Sequence, residues 1–208
     1  RKVEILKENI FGVDLDPKAI EIAQLNLLLK TAEKKHRLPT LQENIKVGNS
    51  LIDDSSVAGD KAFKWEDEFK SVMDKGGFDV VIGNPPYVRM EKIPKDERYP
   101  LKKIYETIPK RFDLYSVFIE KGIKLLKEGG YLGFIVPNTL LNNDDFYKLR
   151  EFILNKCKIK KINILGEGIF ESATVSTIII ILQKSKLKKE NEITEIVFGK
   201  DLTSKIMK

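Results

Sequence analysis

Three short apolar runs each end on a polar residue, and those residues, Asp14, Asn49 and Asn84, stand 35 positions apart both times. The runs are NIFGVDL over 9–15, IKV over 45–47 before Gly48-Asn49-Ser50, and FDVVIG over 78–83. A spacing of about 30 residues or more is the period of a strand–crossover–strand unit. Continuous apolar runs, without alternation, suit strands covered on both faces of a parallel sheet. In an open α/β sheet, ligands bind outside the carboxyl ends of the strands. The expectation is therefore that Asp14, Asn49 and Asn84 line one edge of one cleft.

The rest of the chain fits the same layout. Asp16-Pro17 reads as a helix N-cap followed by proline at the first helical position. A helix is expected to run from there to about Lys34, with Ala19, Ile20, Ala23 and Leu27 on one face. The stretch from Asp53 to Lys75 reads as loop and helix around Trp65. Val88 to Phe112 reads as a long, proline-punctuated loop. A helix is expected over Asp113 to Lys127, ended by Gly129-Gly130. YLGFIV over 131–136 reads as a buried strand. A helix over Asp144 to Lys156 should turn Phe146, Leu149, Phe152 and Ile153 inward. Lys158 to Leu165 and Thr174 to Gln183 read as closing strands, with a further possible strand at Ile193 to Phe198 in the charged tail.

Composition narrows the function classes. With 42% hydrophobic and 33% charged residues, the chain can bury a core and is not of the disordered class. No apolar run approaches the roughly 20 residues of a membrane helix, and no leader pattern is visible, so a cytoplasmic protein is expected. A single cysteine, Cys157, excludes an internal disulfide framework. With one histidine, His36, beside it, a zinc or iron centre built from the usual ligands is not expected. Cys157 reads as a buried thiol at a helix end and His36 as a solvated loop residue. The net charge of +6 is compatible with a polyanionic partner.

The sharpest chemistry lies at Asn84-Pro85-Pro86-Tyr87, directly after the third run. Two prolines fix φ and remove two N–H donors, so the turn offers carbonyl oxygens. Asn84 adds a side-chain carbonyl and Tyr87 a flat ring. Paired acceptors beside a ring face suit an exocyclic amino group on a planar base. Such an amine is a poor nucleophile, because its lone pair is delocalised into the ring. Acceptors on its two N–H bonds draw the nitrogen towards tetrahedral geometry and expose the lone pair to an electrophile such as a sulfonium methyl. This is stabilisation by placed dipoles, with no strong base required first. The competing reading is a rigid turn with a packed tyrosine. Asp14, at a strand end, suits bidentate binding of ribose hydroxyls; the alternative there is a capping carboxylate.

The segments FGVDLDPKAIEIAQLNL, FDVVIGNPPYVRM and FDLYSVFIEKGIKLLKEGGYLGFIVPNTLL resemble the N6-adenine DNA methyltransferases, above all those of type IIG restriction–modification enzymes. The likeness covers roughly residues 5–185 in the family's order. It implies a Rossmann-like α/β fold of the class I methyltransferases with S-adenosylmethionine as cofactor. It implies that Asn84 and the Pro85-Pro86 turn hold the target amino group, and that Tyr87 stacks on an adenine flipped out of DNA. It places Asp14 on the cofactor's ribose and Leu15 against its adenine. Asn49, where the family usually has Asp, and neighbouring Ser50 fall at the cofactor's adenine end. Phe170, in Gly168-Ile169-Phe170-Glu171-Ser172-Ala173-Thr174, is the candidate second wall for the flipped base, with a core role as the alternative.

Residues 88–112 carry eight Lys/Arg against four Asp/Glu, together with Tyr99 and Tyr105. Arg89, Lys92, Lys102 and Lys103 are candidates for contact with a DNA backbone; a solvated lid is the alternative. The family's glycine-rich cofactor loop and first strand do not appear in the sequence. The expectation is thus an N-terminally truncated methyltransferase domain over residues 1–186, with residues 187–208 a charged tail or the start of another domain. Such a piece is expected to hold S-adenosylmethionine weakly and to lack activity alone, within a parent that also carries target-recognition and nuclease domains. The rival activities are RNA adenine methylation and protein-glutamine methylation. A non-catalytic, DNA-binding or structural piece of a restriction enzyme is the alternative from another class.

Overall fold

The computed structural model describes residues 2–31, 40–166, 176–185 and 196–198. It divides into two compact units, Arg1–Lys70 and Ser71–Lys208.

In the first unit, helix α1 (Lys2–Asn9) leads into strand β1 (Gly12–Asp14). Helix α2 (Pro17–Thr31) follows, and the Asp16 Oδ1 accepts the Lys18 N–H at 2.9 Å, capping it as its sequence requires. Strand β2 (Ile45–Val47) lies parallel to β1, with Gly12 opposite Ile45 and Asp14 opposite Val47. Ile20, Leu41 and Ile45 form the buried contact, with Ala23, Leu27 and Leu28 packed on it. Asn44 is buried beside them and its amide donates to the carbonyls of Lys7 and Ile10, which ties the entry of β1 to that of β2. The stretch after β2 is short helical pieces: α3 (Ser55–Ala58), α4 (Trp65–Glu68) and α5 (Lys70–Met73). Phe63, Trp65 and Phe69 meet there, and Phe11 meets Phe69 edge-on at 5.3 Å.

The second unit holds a sheet in the order β3-β4-β6-β5-β7. Its strands are β3 (Phe78–Gly83), β4 (Leu126–Pro137), β5 (Cys157–Gly166), β6 (Thr177–Lys184) and β7 (Ile196–Phe198). β3 and β4 are parallel, as are β5 and β7. β6 runs antiparallel between β4 and β5, so the sheet is mixed rather than wholly parallel. Helices α6 (Lys95–Ile104), α7 (Leu114–Leu125), α8 (Thr139–Asn142) and α9 (Tyr147–Lys156) complete the unit. Tyr115, Ile119 and Ile123 of α7 pack with Leu149, Phe152 and Ile153 of α9. Leu132, Phe134, Val136, Ile178, Ile180 and Leu182 of the sheet complete that core. Phe146, Leu149, Phe152 and Ile153 are all buried, as their helical spacing requires. Cys157 is buried at the junction of α9 and β5, and burial pushes its thiol up to about 12.

Two expectations are corrected. Residues 88–112 are not a plain loop: α6 lies inside them and contains Pro100. Ile93, Leu101, Tyr105, Ile108 and Phe112 of this stretch are buried, and that apolar set was hidden in the sequence by the charges around it. The helix at 114 also stops at Leu125, short of Gly129-Gly130. Leu126 already pairs with Phe78 of β3. Gly130 serves that pairing, because a Cβ there would sit 2.9 Å from the Phe78 carbonyl oxygen. No helix among the described residues is long and apolar enough to cross a membrane.

Candidate active site

In the first unit, Asp14 and Asn49 stand at the carboxyl ends of neighbouring parallel strands. The Gly48 N–H donates to the Asp14 carbonyl at 2.9 Å and joins the two ends. A Cβ on Gly48 would collide with the Phe63 ring, so glycine is what lets the aromatic cluster close under this corner. The Asp14 carboxylate is exposed. Its Oδ1 takes the Asp16 N–H at 2.8 Å, and no described group takes the other oxygen. Leu15 is 48% exposed, unusual for a leucine beside a strand end. The Asn49 Oδ1 accepts the Leu51 N–H at 3.1 Å, which fixes the orientation of its amide and leaves one lone pair and the NH2 group available. Ser50 is held through its carbonyl, which accepts the Trp65 indole N–H at 3.0 Å.

These groups fit a ribosyl-adenine cofactor. An open carboxylate oxygen matches a ribose hydroxyl, a bare leucine matches an adenine face, and an amide with one acceptor lone pair and its NH2 group left over matches an adenine edge. What places Asn49 is the backbone: its N–H donates to the Lys61 carbonyl at 2.6 Å and it bridges Ala62.

In the second unit, the Asn84-Pro85-Pro86-Tyr87 corner leaves the carboxyl end of β3. Asn84 and Pro86 are exposed, Pro85 is buried and Tyr87 is half-buried. The Asn84 amide has no hydrogen-bond partner among the described residues, so its acceptor is free. Tyr87 is anchored. Its hydroxyl donates to the Ile135 carbonyl on β4 at 3.1 Å, and its ring meets the Tyr115 ring edge-on at 6.1 Å and 80°. Burial raises the pKa of the phenol. Tyr115 is fully buried, contacts Phe146, and its hydroxyl lies 3.3 Å from Thr139 Oγ1. Desolvation pushes its pKa far up, so the group stays neutral.

Tyr115 and Thr139 are site-supporting residues that sequence reasoning missed. Tyr115 shares the i, i+4, i+8 stripe of Ile119 and Ile123, which reads as ordinary core. Only the packing shows that it backs Tyr87.

The chain between the corner and α7 is pinned at both ends. The Leu114 N–H donates to the Val88 carbonyl at 2.8 Å and the Met90 N–H to the Phe112 carbonyl at 3.0 Å. Asp113 lies there, half-buried; desolvation raises its pKa, partly countered by Arg89. At the far end, Glu120 of α7 is wholly buried. Its carboxylate accepts the N–H groups of Glu106 and Thr107 at 3.2 and 2.9 Å and the Lys124 ammonium at 2.5 Å.

The expected DNA-backbone cations divide. The Lys102 ammonium donates to the Lys110 carbonyl at 3.2 Å, a structural tie. Arg89 is exposed next to Asp113, while Lys92 and Lys103 are exposed with no ion-pair partner among the described residues. Phe170 and His36 lie outside the described residues, as does most of the tail from Leu187.

Comparison of folds gives the class: a Rossmann-like, class I S-adenosylmethionine-dependent methyltransferase. The chain is similar to a putative class I S-adenosylmethionine-dependent methyltransferase from Listeria monocytogenes, with TM-score 0.53 and 23% identity over 99% of this chain and 65% of that one. It is similar to a chain of the DrdV–DNA complex, with TM-score 0.66 and 20% identity over 94% of this chain and 21% of that one.

Within that class the chain belongs to the Eco57I restriction-modification methylase family, whose profile matches residues 8–170. It is 38% identical to the type II restriction enzyme and methyltransferase RM.Eco57I of Escherichia coli. That match covers 88% of this chain and 19% of the relative, so the chain spans about a fifth of that enzyme's length. S-adenosylmethionine is the cofactor that fold and family imply.

Proposed function

We propose that this chain supplies the catalytic groups of a DNA methyltransferase that moves a methyl group from S-adenosylmethionine to the N6 amino group of adenine. Residues 1–186 are the methyltransferase part, and residues 187–208 a charged tail or the start of a further domain. The observation that carries the proposal is the exposed, unpartnered Asn84 amide beside a tyrosine ring held in fixed orientation by Ile135 and Tyr115. When bound, the cofactor supplies an electrophilic methyl on a sulfonium.

Asp14, Leu15, Asn49 and Ser50 bind the cofactor's nucleoside end. The Asn84 Oδ1 and the Pro85 carbonyl accept the two N–H bonds of the target amine, with Pro86 stiffening the turn. The nitrogen lone pair then forms the new N–C bond as the S–CH3 bond breaks, and the surplus proton leaves to solvent. Tyr87 stacks on the base, with Phe170 as candidate opposite wall. The adenine reaches this corner flipped from the duplex. Nuclease and target-recognition modules are the expected partners within one polypeptide, in keeping with the double name of the Escherichia coli relative.

The test is transfer of tritium from methyl-labelled cofactor, by the polypeptide that contains these residues, to duplex DNA, ribosomal RNA and release factor in parallel. Label in DNA as N6-methyladenine is expected. Label only in RNA or in protein glutamine would move the assignment to the rival acceptors. Asn84→Ala should lower the rate by about 10²–10³, the usual cost of one placed acceptor or donor at the reacting group.

A further inference from the structure

The segment that leaves the Tyr87 corner carries cations of two kinds. Arg98 and Lys102 turn inward. The Arg98 guanidinium donates to the carbonyls of Ile93 and Glu91 at 2.5 and 2.8 Å, and Lys102 is tied to Lys110. Lys95 and Lys103 are exposed and have no ion-pair partner among the described residues. Tyr99 stands between them in the sequence and is 65% exposed. Lys95, Tyr99 and Lys103 follow an i, i+4, i+8 spacing, so they share one face of α6. Eight residues of helix rise about 12 Å, which sets the two lysines on either side of the Tyr99 ring. The Lys103 ammonium lies 4.5 Å from the Tyr99 ring centroid, a cation–π contact on one face, which leaves the other face to solvent.

A half-free aromatic ring flanked by two unpaired lysines has a chemical complement: a nucleobase for the ring and phosphates for the ammonium groups. We propose that the Lys95–Tyr99–Lys103 face of α6 is a contact surface for unpaired DNA, with Tyr99 stacking on an exposed base and the two lysines on the adjoining phosphates. This deepens the methyl-transfer proposal, which requires an unstacked base and therefore a locally opened strand.

The surface is preorganised. Leu101 and Tyr105 bury the opposite side of the helix, and Glu120 clamps the turn that follows it. Asp96 and Glu97 occupy the first turn of α6, about 100° and 200° around the helix from Lys95, where they favour the positive end of the helix dipole. Asp96 lies about 60° from Tyr99 and borders the stripe, while Glu97 faces away, so the face carries two lysines and the ring against one carboxylate.

The test is fluorescence anisotropy of a labelled 12-nucleotide single strand and of the matching duplex with the full 208-residue chain. Tyr99→Ala should weaken single-strand binding about tenfold and duplex binding less than twofold; Tyr99→Phe should stay within about twofold of the parent on both. Lys95→Ala with Lys103→Ala should weaken both ligands and lower the slope of log K against log salt by about 1–2. Tyr99 is exposed, so the variants should keep the parent's thermal midpoint, and a change there would be measured alongside. Equal single-strand affinity for Tyr99→Ala and the parent, Phe as poor as Ala, or no oligonucleotide binding by the parent would each overturn the proposal. If no acceptor is methylated but Tyr99-dependent binding persists, the surface stands and the methyl-transfer assignment falls.

Discussion

The two units bury their apolar side chains in different ways. In the second, helices α7, α8 and α9 and strands β4, β5 and β6 share one continuous core, from Tyr115 on α7 to Leu182 on β6, and the candidate base corner is fastened to it through Tyr87. In the first, the contact between helix and strands is Ile20, Leu41 and Ile45 with a few partly buried neighbours. Ile22, Leu25 and Leu29 of α2 remain 60%, 54% and 57% exposed. Those three follow i, i+3, i+7 spacing, a second apolar stripe on the same helix. Asp14 and Leu15 therefore sit beside a thin support, Asn49 and Ser50 on the small aromatic cluster of Phe63, Trp65 and Phe69, and the groups proposed to hold the acceptor on a thick core. Function places different demands on each. The amino nitrogen must be held to a fraction of an ångström to react. A ribosyl-adenine can be bound by several independent contacts.

The largest effect should come from removing the centre of the thick support. Tyr115→Ala is expected to cost about 3–5 kcal/mol in urea unfolding followed by tryptophan-independent far-UV signal. Tyr115→Phe, which loses only the contact to Thr139, should cost about 1 kcal/mol. Near-equal costs would mean that Tyr115 acts through its hydroxyl rather than through packing against Tyr87 and Phe146.

Glu120→Ala comes next. It leaves the Glu106 and Thr107 amides without their acceptor, and a buried pair broken from one side usually costs 3–5 kcal/mol. Lys124 is 42% exposed and can rehydrate, so about 2–3 kcal/mol is expected. Hydrogen exchange at those two amides should rise more than elsewhere, and uniform exchange would sink the role of Glu120 as a clamp.

Native-state exchange also compares the two units directly. Amides in the middle of α7 should be protected by about 2 kcal/mol more than those in the middle of α2. Equal protection would show that the exposed stripe of α2 does not mark weak local stability.

The smallest effect is expected at Asp113. Burial raises its folded pKa above the unfolded value, so the native state binds the proton more tightly. Stability from this group is full below the unfolded value near 3.8 and falls as pH rises through the folded pKa. Asp113→Asn should therefore raise the urea midpoint slightly at pH 7, with the advantage gone by about pH 3.5. A loss at pH 7 would show instead that the charge at the start of α7 is favoured by the helix dipole.

Much of the architecture was legible because it repeats. Strand runs at a 35-residue interval, a capped helix at Asp16-Pro17 and the inward set Phe146, Leu149, Phe152 and Ile153 each follow from local periodicity. The acceptor corner was legible because two prolines and an asparagine leave few conformations and few donors. What local pattern could not supply was the fold of residues 88–112. There the deciding groups, Leu101, Tyr105 and Phe112, are scattered among charges, and only the folded structure shows that they are buried.

The sequence by itself determined that Asn84 would present a free acceptor at a strand end, since prolines remove the competing donors. Only tertiary structure decided the orientation of Tyr87, because its partners, the Ile135 carbonyl and the Tyr115 edge, come from elements 28 to 48 residues away. It likewise decided which cations of residues 88–112 face solvent. A lysine's partner is chosen by what lies within reach of a long flexible side chain, and no spacing rule along the chain encodes that.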